Sequence, residues 1–245
     1  MYSFESRIRY SECDEHGNLT LLSLIDYLQD SSTFHSEELD RGVKYMSDRG
    51  IAWLIAAWQI EIDRLPRFCD HIKVNTWCYS MKRTLAGRNF TICDEAGDTI
   101  VRADSLWFVY DFKAERPVRI TPDQHVFLGD EAPLDMPPTN RKLTAEGPFT
   151  DAPAITVSEL HLDSNRHVNN AQYLGMAVNA ITELYGPEVA GRTTDISRIN
   201  IAYSRQAVLG DTIVPRVQVS PGVCTVVLAD PEGNTYSTVQ LAMRA

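Results

Sequence analysis

The longest strongly apolar run in this chain, "IAWLIAAW" at 51–58, falls far short of the ~20 residues that a helix needs to cross a bilayer. The first residues, "MYSFESRIRY", carry no cationic segment followed by an apolar stretch, so no secretory signal is expected there. The five cysteines, Cys13, Cys69, Cys78, Cys93 and Cys224, form no CxxC pair and have no histidine at metal-ligand spacing. They read as reduced thiols in a cytoplasmic protein with no metal or other cofactor. Positive charge is also short: Lys and Arg total 23 against 33 Asp and Glu, a net charge of −10. That balance excludes the broad basic face a nucleic-acid binder needs, and an acidic partner would have to find a local basic patch.

What remains is a globular composition, 44% hydrophobic and 23% charged over 245 residues, enough for one large domain or two small ones. Two segments share a plan. "YSECDEHGNLTLLSLIDYLQD" and "HLDSNRHVNNAQYLGMAV" align at an offset of 151, which sets His16 on His167, Asn18 on Asn169 and Asp14 opposite Asn165. Each polar loop runs into helical periodicity, Leu21, Ile25, Leu28, Ser32, His35 and Leu39 in the first and Tyr173, Ala177, Ile181 and Leu184 in the second. "IEIDRLPRFCDHI" then matches "IAYSRQAVLGDTI" at 141, and "DEAGDTI" matches "DPEGNTY" at 136 as two hairpin turns. Three matches in one order point to a duplication.

Between the copies, Pro133, Pro137, Pro138 and Pro148 deny regular structure to a linker over 131–150. The expected domains are therefore 1–130 and 151–245. Each copy reads as α+β: one long central helix wrapped by a curled antiparallel sheet with strands such as "IKVNTWCYS", "LAGRNFTICD" and "TIVRADSLWFVYD".

The second polar loop gathers the groups that chemistry needs. In an extended segment Asp163, Asn165 and His167 would share one face at steps of ~6.6 Å. The amides of Val168, Asn169 and Asn170, unpaired at a helix N-terminus, would favour a developing oxyanion. Asn169 or Asn170 as an N-cap is the competing assignment. The cluster suits hydrolysis of an activated acyl compound. Asp163 would deprotonate or orient water or attack the carbonyl, Asn165 would hold the water or the carboxylate, and His167 would orient substrate or shuttle a proton. No GxSxG elbow supports a serine triad.

The chain resembles the acyl-acyl carrier protein thioesterases of plants and bacteria. "LDSNRHVNNAQYLG" is similar to that family's catalytic signature, "LIDYLQDSSTFH" to the approach to its first helix, and "WLIAAWQIEIDRLPRFCDHIKVNTW" and "VRADSLWFVYD" to its first-domain strands. The resemblance implies two tandem hotdog domains, the first binding the acyl chain and the second carrying Asp163, Asn165 and His167. It implies acyl carrier protein as partner, release of fatty acid, and a monomer or homodimer. Where the family carries a Glu-Cys pair, this chain has Gln206 and Ala207 in "AYSRQA". Glutamine cannot act as a base, so Asp163 takes that role and Gln206 positions water. The first copy resembles the acyl-holding half, and His16 there orders its loop. Arg64, Arg67, Lys73, Lys82, Arg83 and Arg88 are candidates for a carrier-protein patch. Trp53, Ile55, Trp58 and Trp107 line either an acyl tunnel or a core. A thioesterase for coenzyme A esters and an inactive acyl-thioester-binding module are the alternatives.

Overall fold

The computed structural model describes residues 1–144, 147–186, 189 and 193–244. The chain folds as two compact units, one of residues 1–19 with 26–139, the other of residues 20–25 with 140–245. Among the described residues, no helix is long and apolar enough to cross a membrane.

The first unit runs through β1 (Tyr2–Arg7), α1 (Leu21–Glu38) from residue 26 onward, α2 (Val43–Ser47), β2 (Ile51–Ile62), β3 (His71–Met81), β4 (Ala86–Asp94), β5 (Thr99–Asp111) and β6 (Arg116–Val118). Its antiparallel sheet has the order β1-β3-β4-β5-β2, with β6 on β5. The apolar alternation of these strands forms one inward face, with Trp58, Phe90, Ile60 and Ile92 fully buried. Helix α1 lies against that face through ring contacts of Tyr27 with Phe4 and of His35 with Tyr2 and Phe127.

The other sheet face is not left to water. Trp77, Asn89, Asp104 and Gln59 are direct cross-strand partners in one row over β3, β4, β5 and β2, and all four are buried. The segment expected to be a free linker lies over them. Trp77 Nε1 donates to the Ala132 carbonyl at 3.0 Å, Gln59 Nε2 to the Pro137 carbonyl at 2.8 Å, and the Leu134 amide to Asn89 Oδ1 at 2.8 Å. Thr139 Oγ1 donates to Asp104 Oδ2 at 2.5 Å. Residues 131–139 thus belong to the first unit, extending it beyond the expected boundary at 130. The reason is backbone satisfaction: a proline-rich stretch makes no ladder of its own, and its carbonyls are met by side-chain donors.

The second unit continues through β7 (Thr150–Asp151), β8 (Ile155–Thr156), α3 (Asn170–Tyr185), β9 (Ile196–Tyr203), β10 (Thr212–Ser220), β11 (Val223–Ala229) and β12 (Thr235–Met243). The strand order is β9-β12-β11-β10-β7, with β8 also on β10. Helix α3 buries Tyr173, Leu174, Ala177 and Ile181, the stripe set by its periodicity. The paired turn motifs have matching geometry: Asp94 Oδ1 accepts from the Asp98 amide at 2.9 Å, Asp230 Oδ1 from the Asn234 amide at 2.7 Å. Gly97 and Gly233 hold φ near +88° and +89°, a region open to glycine at little cost.

Candidate active site

Asp163, Asn165 and the His167 backbone share one tight turn, and it is not strand alternation that joins them. Residues 163–166 form a tight turn closed by hydrogen bonds from the Asp163 amide to the His167 carbonyl (2.8 Å) and from the Arg166 amide to the Asp163 carbonyl (3.0 Å). Leu162 and Val168 pair as an isolated bridge at its base. The turn forms because aspartate accepts from nearby amides: Asp163 Oδ1 accepts from the Asn165 amide at 2.8 Å and the His167 amide at 3.2 Å. Oδ2 has a longer contact, 3.4 Å, with Asn165 Nδ2. Asp163 and His167 are half-buried and Asn165 is exposed. His167 Nδ1 is buried with no hydrogen-bond partner among the described residues.

Two of the three expected oxyanion donors are engaged by the backbone. The Val168 amide donates to the Ala207 carbonyl and the Asn169 amide to the His161 carbonyl, both at 2.9 Å. Neither remains to receive substrate, because the loop is tied to its neighbours through those two groups. Asn169 is the N-cap of α3, its Oδ1 accepting from the Ala171 amide at 2.9 Å. The Asn170 carbonyl accepts from the Tyr203 hydroxyl at 3.1 Å.

Gln206 is exposed on the loop that flanks the turn. That loop is held by the Val168–Ala207 bond and by a bridge between His167 and Val208. Tyr173, 2% exposed on α3, receives the Ala207 amide on its hydroxyl oxygen at 2.9 Å. Burial pushes that hydroxyl up to about 12, so it stays protonated. Sequence reading missed this role, because Tyr173 stood in the apolar stripe of the helix; its polar tip in a buried position was the available signal.

Beyond Gln206 opens a cleft of about 460 Å³ lined by Arg205, Gln206, Asp211, Asp230, Glu232 and Tyr236, so that of the four expected catalytic residues only Gln206 lines this cleft. Its wall is cross-linked: Arg205 Nη2 meets Asp230 Oδ2 at 2.6 Å, the guanidinium lies 4.2 Å from the Tyr236 ring centre, and Tyr236 donates to Asp211 Oδ2 at 3.1 Å. Hydrogen bonds from Asn234, then Arg205, hold the Asp230 carboxyl down to about 2. No group of three or more His, Cys, Asp or Glu that could hold a metal occurs among the described residues.

The candidates in the first unit separate. Arg64 is ion-paired with Asp94, Arg67 donates to the His16 carbonyl at 3.4 Å, and Lys73 lies opposite Glu5 across β1 and β3. Lys82 and Arg83 are exposed at the β3–β4 turn. Arg88 is corrected outright. At 7% exposure it points inward from β4 and cannot meet a protein partner. Trp58, 1% exposed, packs 4.9 Å from Phe90 and 6.2 Å from Trp107. Ile55 is buried, while Trp53 and Trp107 pack on the apolar cluster around Val109 and Phe127. Close packing of this kind is shared by a core and by the wall of an acyl tunnel, so both assignments stand for these four residues.

The profile of the acyl-ACP thioesterase N-terminal domain matches residues 1–126, and that of the acyl-ACP thioesterase C-terminal domain matches residues 151–239. The chain is 28% identical over 174 residues to the chloroplastic oleoyl-acyl carrier protein thioesterase 2 of Arabidopsis thaliana, covering 66% of this chain and 46% of that protein. This chain spans about half the length of such curated relatives. Among solved structures, an acyl-ACP thioesterase from Bacteroides thetaiotaomicron aligns with TM-score 0.85 at 22% identity, covering 99% of this chain and 97% of that one. The 12:0-ACP thioesterase from Umbellularia californica aligns with TM-score 0.81 at 18% identity, covering 99% and 96%. These two likenesses establish the fold. With both halves matched in order by the two profiles, the chain belongs to the acyl-ACP thioesterase family.

Proposed function

We propose that this protein hydrolyses the thioester of fatty acyl-acyl carrier protein, with each unit a hotdog domain, the first holding the acyl chain and the second performing the chemistry. The observation that carries the reading is the Asp163 carboxylate, fixed through Oδ1 by two backbone amides beside Asn165 and His167, in a chain matched by both halves of the family. Pinning one oxygen leaves Oδ2 to take a proton from water. The water oxygen bonds to the acyl carbon, the carbon–sulfur bond breaks, and the departing thiolate takes up the proton. Attack by Asp163 itself, followed by hydrolysis of the anhydride, is the covalent version of the same step. Gln206, on the adjoining loop, orients the water.

With the Val168 and Asn169 amides engaged, two of the three expected backbone donors are spent and side chains join the Asn170 amide as candidates for the oxyanion. Among the described residues His167 Nδ1 has no acceptor to hold a hydrogen toward, which leaves Nε2 as the ring position for a donated hydrogen. That N–H and Asn165 Nδ2 are the side-chain donors offered to the carbonyl oxygen. The five free thiols agree with the cytoplasmic setting we propose. A second reading, an inactive acyl-thioester binder, draws on Gln206 standing where the family has an acid. A coenzyme A handle draws on the burial of Arg88, which removes it from the basic face.

Thiol release from acyl-carrier protein and from the matching coenzyme A ester, at low and high salt, tests the reading. Faster turnover on carrier protein that falls with added salt is expected. Faster turnover on the coenzyme A ester assigns the other handle, and tight binding without thiol release assigns the binder.

A further inference from the structure

Arg88 occupies the inward row Cys78, Arg88, Ser105, Trp58 across β3, β4, β5 and β2. One guanidinium nitrogen, Nη1, lies 3.1 Å from Thr76 Oγ1 and 3.1 Å from His35 Nδ1, and the group sits 5.9 Å from the Phe127 ring centre. Neither partner supplies negative charge. Burial, then the adjacent Arg88, lowers His35 to about 4, so the imidazole is neutral and accepts through Nδ1. No ion pair joins Arg88 to a carboxylate among the described residues. Glu131, whose charge reaches His35, pairs with the α-amino group of Met1 at 2.6 Å. The buried serines of the same helix stretch are spent on their own backbone, Ser31 on the Leu28 carbonyl and Ser32 on the Gln29 carbonyl, each at 2.7 Å.

A permanent cation is therefore buried beside the Phe127 ring and the Cys78 thiol, with two neutral acceptors on one of its nitrogens. Taking its charge out of water is unfavourable, and a purely hydrocarbon interior would be better served by methionine or leucine at this place. Arginine offers five donors in a planar fork, more than Thr76 and His35 can use.

We propose that Arg88 is a specificity-determining residue that donates to an oxygen carried on the acyl chain away from the thioester, so that the protein acts on oxygenated acyl groups in preference to plain ones. This rests on the reading that the first unit holds the acyl chain. The shared chemistry is an acceptor oxygen, supplied either by a hydroxyl or by a distal carboxylate. A hydroxyl would join the neutral set of Thr76 and His35, whereas a carboxylate would supply the missing counter-charge.

The test compares kcat/KM for acyl carrier protein loaded with plain, hydroxylated and distal-carboxyl acyl groups of one chain length, the hydroxyl placed at several positions. At least one oxygenated form is expected to exceed the plain form by about tenfold, and its identity names the source of the oxygen. Arg88→Met should invert the preference and Arg88→Lys should keep part of it. A wild-type preference for plain chains overturns the proposal, whether or not Arg88→Met folds, and so does an unchanged ratio in a folded Arg88→Met protein. If no thioester is cleaved, the hydrolytic reading fails by itself. Wild-type affinities for the same loaded carriers then decide Arg88 by the same ratio.

Discussion

The loops at 14–18 and 163–167 are the same object built twice. Asp14 Oδ1 accepts from the His16 and Asn18 amides at 2.9 Å, as Asp163 Oδ1 does from those of Asn165 and His167. The Asp14 amide reaches the Asn18 carbonyl at 2.8 Å, as Asp163 reaches His167. Cys13 bridges Leu19 as Leu162 bridges Val168. The structural offset is therefore 149, two less than residue identity suggested, and it sets Asp14 on Asp163, His16 on Asn165 and Asn18 on His167. The aspartate is first a loop-former, present in both copies. What differs is the order of the imidazole and the amide, and the ties to the neighbouring loop. In the first copy the Leu19 amide donates to the carbonyl of Pro66, a residue with no N–H to satisfy, and an apolar Leu24 stands where α3 has Tyr173. In the second copy Ala207 brings an N–H, and the Tyr173 hydroxyl receives it.

That comparison is broken most forcefully at the two aspartates. Asp163→Asn should lower kcat by about a thousandfold or more through loss of the base or nucleophile, while Asp14→Asn should leave kcat within about twofold and lower stability by about 1 kcal/mol. Gln206→Ala should cost less turnover than Asp163→Asn; the reverse ranking sinks the assignment of Asp163. Exchanging Asn165 and His167 keeps composition and loop bonds, which run through the backbone, yet should cost about a hundredfold in kcat with little change in melting temperature. A fully active swapped protein would show that order is irrelevant. Tyr173→Phe strands the buried Ala207 amide at about 1–3 kcal/mol, and misplacing Gln206 should cost about tenfold in kcat. An unaltered kcat beside a lowered melting temperature would make Tyr173 a structural residue alone.

The helices α1 and α3, the strands and the turns at Gly97 and Gly233 were legible because period, turn residues and glycine placement act locally. The repeat was legible too, but its register slipped by two at the polar loops. Sequence matching rewards shared side-chain types, whereas the loops are equivalent through amides and carbonyls that carry no residue identity. The engagement of Val168 and Asn169 escaped for the same reason: it depends on the carbonyls of Ala207 and His161, remote or irregular in sequence. In β4, alternation could not assign Arg88 to the inside, since both faces of the strand are covered, one by α1 and one by residues 131–139.

The smallest difference between the loops lies in one backbone angle. Gly17 holds φ at +78° and Arg166 at +62°, so both occupy the left-handed region, where a side chain costs about 1–2 kcal/mol. A Cβ on Gly17 would meet nothing within 4 Å, which leaves the backbone term alone to decide the effect of Gly17→Ala. Against that cost stands a stabilisation of about 0.4–1 kcal/mol from restricting the unfolded chain. Gly17→Ala should therefore lower stability by about 0.5–1 kcal/mol, and Arg166→Gly should raise it by a similar amount, both read from denaturant midpoints. If Arg166→Gly also leaves kcat unchanged, the strain at 166 is incidental to the chemistry. A fall in kcat alongside the gain in stability would mean that the second loop spends backbone strain on aiming Asn165 and His167, a use the first loop does not have.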